Sequence, residues 1–255
     1  MEEVEGIILI LSCEKHRKTR LVEFGPKKNY YNGWKVIKVI GNYFLDKDYD
    51  IKDDFLYIKC EDTYLHLLKK LALSIKYLNN IFSIKQGILR CGDDLIFNED
   101  VLQQFLSTEN KFDFYGKAYC DKHYISSNID LLKTTRFDPF MLSYYVNHQN
   151  ELTDQNNGMN LTLEELKKFL VRPDVWGPSG IIYYVSNRSC NIIVDTMEKI
   201  NYNIFHLDEF TNSYPYIIED CGVTYIMYYN IIPFINNKHF FGNKKCIVMH
   251  TNKYK

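Results

Sequence analysis

The run Gly6-Ile7-Ile8-Leu9-Ile10-Leu11-Ser12 carries no charge and shows no alternation of apolar and polar residues. A strand with one wet face alternates, so an unbroken apolar run belongs to a strand covered on both faces, as in a parallel sheet flanked by helices. The rest of the first half agrees with that reading. The polar, basic stretch Cys13 to Arg20 is expected to start a helix. Trp34 to Ile40 reads as a second strand behind an Asn32-Gly33 turn, and Phe55 to Lys59 as a third. Asp62-Thr63-Tyr64 is expected to cap a helix carrying Leu65, Leu68, Leu71, Ala72, Ile75 and Leu78 at three- and four-residue spacing. Gly87 to Cys91 is a further strand, ending at Gly92-Asp93-Asp94, and a helix capped by Asn98 follows over Glu99 to Leu106. Strand, helix, strand, strand, helix, strand predicts an α/β protein with a mixed, mainly parallel sheet flanked by helices.

The second half is less regular. Phe114 to Tyr119 reads as a strand. Asn147 to Met159 is polar and is expected to be a mobile loop on the acceptor side. Leu163 to Leu170 reads as a helix capped by Thr162, and Trp176 to Gly180 as a turn. The strand Ile181 to Val185 and a helix Cys190 to Ile200 follow, and Pro215 to Asp220 opens a last apolar element. No linker interrupts the chain. Residues 1–255 are therefore read as a single domain, with a nucleotide-type half (1–110) and an acceptor-binding half (111–255).

Charge and cysteine usage narrow the function class. With 31 Lys and Arg against 32 Asp and Glu, the formal net charge is -1. A nucleic-acid binder needs a surplus of Lys and Arg to neutralise phosphates, so no nucleic-acid partner is expected. The seven cysteines include no Cys-x-x-Cys pair and are odd in number, which argues against a disulfide framework or zinc cluster and for a reducing compartment. The N-terminal apolar run is far shorter than the roughly 20 residues of a membrane span, and the residues before it are acidic, unlike a signal peptide. A cytoplasmic location is the resulting expectation.

Two acidic pairs carry the candidate chemistry. Asp93 and Asp94 follow a strand end, the edge where α/β sheets bind ligands, and suit a Mg²⁺ or Mn²⁺ ion that neutralises phosphate oxygens. A solvated acidic turn before the next helix is the competing reading. Gly-Asp-Asp also occurs in the palm of RNA-dependent polymerases, but the chain is too short and lacks a basic template channel. Glu219-Asp220 follows aromatic and apolar residues; it reads either as a general base toward a hydroxyl or as charge in the first turn of a helix. His250 ends the apolar run Cys246 to Met249 and reads as a packed or surface side chain as readily as a metal ligand.

Four segments, in order, resemble the β-1,3-galactosyltransferase and Fringe-like glycosyltransferases, which share the GT-A (Rossmann-like) fold. Asp62-Thr63-Tyr64-Leu65-His66-Leu67-Leu68-Lys69-Lys70 is similar to the family's Asp-Ser-Tyr-x-Asn-Leu-Thr-x-Lys helix. Leu89 to Asn98 resembles its strand ending in Asp-Asp-Asp, Ser179 to Ser186 its Ser-Gly-Gly-Gly-Tyr segment, and Ile218 to Val223 its Glu-Asp-Val segment. The resemblance spans about Asp62 to Asp220. It implies a metal-dependent inverting enzyme that moves a hexose or N-acetylhexosamine from a UDP-sugar to a hydroxyl of a glycan or protein-linked sugar. Asp94 and His250 would hold Mn²⁺ or Mg²⁺, and Asp220 would be the catalytic base. Asp93, Lys70, Gly180, Tyr183 and Ser12 would serve the donor, Asp93 near the ribose and Gly180 and Tyr183 beside the sugar. Three departures stand out: Gly92 replaces the first Asp, His66 replaces Asn, and Ile181 and Ile182 replace glycines, which implies a narrower donor pocket. Two alternatives remain at this stage. One is a non-catalytic relative that binds a nucleotide or glycan. The other is an unrelated α/β nucleotidyltransferase using the same metal pair.

Overall fold

The computed structural model describes residues 1–109, 111–118, 135–173, 175–206 and 216–251. Its thirteen strands, among the described residues, are β1 (Glu2–Leu11), β2 (Tyr30–Tyr31), β3 (Trp34–Gly41), β4 (Tyr49–Lys52), β5 (Phe55–Ile58), β6 (Phe82–Cys91), β7 (Leu95–Phe97), β8 (Phe114–Gly116), β9 (Thr135–Phe137), β10 (Val171–Pro173), β11 (Ile182–Ser186), β12 (Ile235–Asn236) and β13 (Val248–His250). Nine of them form one sheet in the order β12-β8-β11-β6-β1-β3-β5-β4, with β2 folded back on β3. The four central strands β6, β1, β3 and β5 are parallel, whereas β11 runs antiparallel to both β6 and β8, and β4 antiparallel to β5. The sheet is therefore mixed with a mainly parallel centre, and strands from both halves of the chain share it.

The apolar run lies at the middle of that sheet, as a doubly covered strand must. Ile7, Leu9 and Leu11 belong to the core on one face, with Leu68, Leu71 and Ile75 of the helix Leu67–Ile81; Ile8 and Ile10 belong to the core on the other, with Leu102 and Leu106 of the helix Glu99–Leu106. Residues 7–11 are each at most 4% exposed, and each such side chain contributes roughly 1.5–3 kcal/mol of burial. The two-sided period explains why no polar residue interrupts the run. Trp34 packs so closely over Gly6 that a Cβ there would stand 2.3 Å from its ring. At the expected turn, Asn32 and Gly33 both adopt positive φ, 46° and 87°, which turns β2 tightly onto β3.

Several expectations are corrected. The basic stretch after β1 does not build one helix. It forms a 3₁₀ turn (Glu14–His16) and a single helical turn (Arg20–Glu23) that stops before Gly25-Pro26. Asp62 does not cap the following helix, whose first turn is a 3₁₀ segment, Tyr64–His66; its carboxylate serves tertiary contacts instead. The polar stretch expected as a loop is a string of short helical turns, the end of helix Pro139–Asn147, then Gln149–Leu152 and Gln155–Asn157. Leu152 and Met159 anchor it in the core. Residue 119 of the expected strand Phe114 to Tyr119, and Pro215 of the last element, lie outside the described residues. No helix among the described residues is long and apolar enough to cross a membrane.

The connections define where ligands belong. From β1 the chain moves outward to β3 and β5, then returns through the helix Leu67–Ile81 to β6 on the other side of β1. Connections leave β1 and β6 in opposite directions, the topological switch at which open α/β sheets place a ligand crevice, outside the carboxyl ends of the strands.

Candidate active site

Register alone brings the first cluster together. Ile10 pairs with Cys91 in the parallel ladder; two residues further on, Ser12 meets Asp93 and donates its hydroxyl to Oδ2 at 2.6 Å. Asp93 Oδ2 also lies 2.7 Å from His16 Nδ1, and Arg20 Nη1 donates to Oδ1 at 3.2 Å. Burial works against the charged form of Asp93, but the hydrogen bonds from His16 and Ser12 outweigh it and hold the carboxyl below its usual range. The same hydrogen bond raises His16 to about 9, so the pair is ionic at neutral pH. Asp94 is more open. Its Oδ2 lies 3.2 Å from His250 Nε2 and 3.7 Å from Arg20 Nη1. His250 arrives there because β13 pairs antiparallel with β7, matching His250 to Leu95, and Thr251 N–H donates to the Asp94 carbonyl at 3.2 Å.

Behind this cluster, Lys70 reaches through the core to the end of β1. Its Nζ donates to the Ser12 carbonyl at 2.8 Å and to Asp62 Oδ1. Burial opposes the ammonium charge, yet the Asp62 carboxylate outweighs it and raises the lysine above its ordinary value. Asp62 also accepts from the N–H groups of Gly41, at 3.0 Å, and Glu14, at 2.8 Å. One buried ion pair thus ties together the carboxyl ends of β1 and β3 and the loop between them.

The second cluster forms across β6 and β11. The antiparallel ladder sets Tyr183 opposite Arg90 and Ile182 opposite Cys91, and beyond it Gly92 N–H donates to the Ile181 carbonyl at 2.9 Å. One residue further, Gly180 N–H donates to Asp220 Oδ2 at 2.8 Å; Asp220 Oδ1 accepts from Cys221 N–H, also at 2.8 Å. Asp220 stands half-buried in the first turn of the helix Glu219–Tyr229. Its neighbour Glu219 is buried and engaged by Arg90 Nη2 at 2.8 Å and by the Tyr183 hydroxyl. Burial raises the Glu219 carboxyl above its usual range. Of the acidic pair, only Asp220 retains exposure, so only its carboxylate can meet a proton brought from outside.

The residues named from sequence thus fall into three groups. Ser12, Asp93, Asp94 and His250 converge at the crevice, and Gly180 and Asp220 meet beside it through the Gly92–Ile181 contact. Lys70 is only 1% exposed and is spent on Asp62 and Ser12, so it supports the crevice from below rather than touching a donor. Tyr183, expected beside the donor sugar, is fully buried with its hydroxyl on Glu219. Ile182 likewise points into the core and cannot narrow a donor pocket. A Cβ at Gly92 would meet only ordinary contacts, 3.5 Å to Asp94 Oδ1 and 3.6 Å to the Ile181 carbonyl, so the missing first carboxylate is not enforced by sterics.

Sequence reasoning missed His16, Arg20 and Arg90. For Arg90 a signal existed: a guanidinium inside a doubly buried strand requires a buried partner. For His16 and Arg20 it was weaker, two basic residues four apart directly after a strand end.

No family profile and no curated protein matches the chain. Among solved structures it is similar to mouse xyloside xylosyltransferase 1 in its apo form, at 7% identity and a TM-score of 0.40, with 99% of each chain covered.

Proposed function

We propose that this chain is an inverting, metal-dependent glycosyltransferase of GT-A type, moving a hexose or N-acetylhexosamine from a UDP-sugar to a hydroxyl of a glycan or protein-linked sugar. One observation carries the reading: a carboxylate–imidazole pair at the switch point and a half-buried carboxylate at a helix start are joined through two backbone N–H donors, Gly92 to the Ile181 carbonyl and Gly180 to the Asp220 carboxylate. A transferase of this kind needs a leaving-group site and a base side by side.

The donor set fits a hard or borderline divalent cation. Asp94 supplies a carboxylate oxygen and His250 an imidazole nitrogen, a combination Mn²⁺ or Mg²⁺ accepts with diphosphate oxygens and water. Among the described residues no three His, Cys, Asp or Glu side chains gather to hold a metal ion, so the remaining ligands would have to come from the diphosphate and water. Bound there, the cation would neutralise charge on the departing UDP. The protein's own residues do the rest. Ser12, His16 and Arg20 hold Asp93 fixed at the crevice floor, within reach of a ribose hydroxyl. Asp220 takes the acceptor proton as its oxygen attacks the anomeric carbon, a contribution of about 10²–10⁴-fold for a general base.

Product stereochemistry and the Asp220→Asn variant test the reading. An α-linked UDP-sugar gives a β-linked product, read from the anomeric proton coupling. Asp220→Asn keeps UDP binding with Mn²⁺ and loses about 10²-fold or more in turnover. EDTA abolishes turnover and Mn²⁺ restores it. An α-linked product, or a near-wild-type Asp220→Asn enzyme, overturns single displacement by this base. Stronger thermal stabilisation by nucleoside triphosphates than by UDP-sugars would favour nucleotidyl transfer instead.

A further inference from the structure

We infer that Arg90 is a positioning residue for Asp220, gripping its sequence neighbour Glu219 and its hydrogen-bond partner Gly180 and setting its place relative to the Asp94 end of the same strand. The inference rests on Asp220 being the base proposed above. A strand buried on both faces has no cheap use for a guanidinium, since burying the cation costs several kcal/mol unless it is paired and hydrogen-bonded. Arg90 is 3% exposed. Both arms of its fork end on groups that hold Asp220. Nη2 pairs with Glu219 Oε2 at 2.8 Å, fixing the residue that precedes Asp220 at the helix start. Nη1 donates to the carbonyl of Gly180, whose own N–H donates to Asp220 Oδ2.

Tyr183 completes the arrangement. Its ring lies 5.5 Å from the guanidinium carbon and its hydroxyl donates to Glu219, so the carboxylate is held from two sides. Because Arg90 stands on β6 three and four residues before Asp93 and Asp94, the spacing between base and leaving-group site is carried by a rigid central strand. A lysine at 90 would keep the charge but hold one acceptor at a time, since only the planar fork of Arg reaches two fixed acceptors at once. Arg90 contacts neither donor nor acceptor; it acts through Asp220.

The test compares wild type, Arg90→Lys and Tyr183→Phe in turnover and in hydrogen exchange followed by NMR. Arg90→Lys lowers kcat about tenfold or more through a displaced base. Donor KM stays within about twofold, because ground-state donor contacts are untouched. In an Asp220→Asn background the same substitution costs little further, whereas a general loss of folding would add to it. The Gly180 amide exchanges faster in Arg90→Lys, while the Gly92 amide, bonded to the Ile181 carbonyl, keeps its protection. Additive losses, a parallel change in donor KM, or unchanged Gly180 exchange each overturn the inference. If Arg90→Lys does not fold, Tyr183→Phe, which keeps the ring and removes one hold on Glu219, must show the same kcat-selective loss in milder form. If wild type turns over no UDP-sugar, the transfer reading fails and exchange alone decides this one: faster Gly180 exchange upholds the grip of Arg90 on Asp220, and unchanged exchange removes it.

Discussion

The two polar clusters at the end of β6 stand a few residues apart and are built on opposite principles. Around Arg90, Glu219 and Tyr183 every group is buried, and a cation and an anion neutralise each other inside the sheet. Around Asp94 the partners are partly exposed, an imidazole at 3.2 Å and a guanidinium at 3.7 Å. The closed cluster can only hold its geometry, because any exchange of partners would strand a charge away from water. The open cluster can trade partners for a ligand, because water can cover the loss. The proposed transfer site would need rigid support behind an exchangeable first contact, and one strand supplies both.

The comparison breaks most sharply at Arg90. Arg90→Leu leaves Glu219 buried without its cation, so urea unfolding should show a loss of about 3–5 kcal/mol. A loss under about 1 kcal/mol would mean that the closed cluster is as replaceable as the open one.

His66 extends the contrast to a buried group without a strong counter-charge. Burial pulls its imidazole down to about 4, with Thr63 Oγ1 at 2.8 Å from Nδ1 and Glu61 3.9 Å from Nε2. Its folded value lies below the ordinary 6.5, so between those two pH values the unfolded chain binds a proton that the folded chain refuses. Stability is complete above about pH 6.5 and falls as pH is lowered, by about 3 kcal/mol at pH 4 from this group. Urea midpoints across that range should flatten in His66→Asn, which restores the residue type of the resembled family. An equally steep profile in His66→Asn would assign the acid sensitivity to other groups.

The smallest change in stability is expected at Asp94. Asp94→Asn removes a partly exposed ion pair and should shift unfolding by less than about 1 kcal/mol. The same variant should lose the Mn²⁺-dependent stabilisation by UDP, which reaches about 2.7 kcal/mol at a hundred times the dissociation constant. A large fall in stability without UDP would show that the open cluster also serves as a structural clamp.

Legibility followed physical range. The helix Glu99–Leu106 and its Asn98 cap were readable because the cap bond, Val101 N–H to Asn98 Oδ1, spans three residues. The Thr162 capping box was readable for the same reason. The strand-end carboxylates and the late Glu-Asp pair stood out as residue types in context. Where Lys70, Tyr183 and Ile182 point was not legible, because their side-chain direction depends on packing against elements far away in the chain. The helical turns between Asn147 and Met159 were missed because two buried anchors, Leu152 and Met159, outweighed a polar composition.

The sequence by itself determined the apolar centre, the parallel sheet built around it and the two acidic segments, because strand burial and cap chemistry are written in neighbouring residues. Tertiary structure alone decided that Ser12, His16, Arg20 and His250 meet the Asp93–Asp94 turn, and that Arg90 reaches Gly180 and Glu219. Those contacts join residues 73 to 156 positions apart along the chain. They come from ladder register and the crossing of connections over the sheet, and no local pattern encodes either.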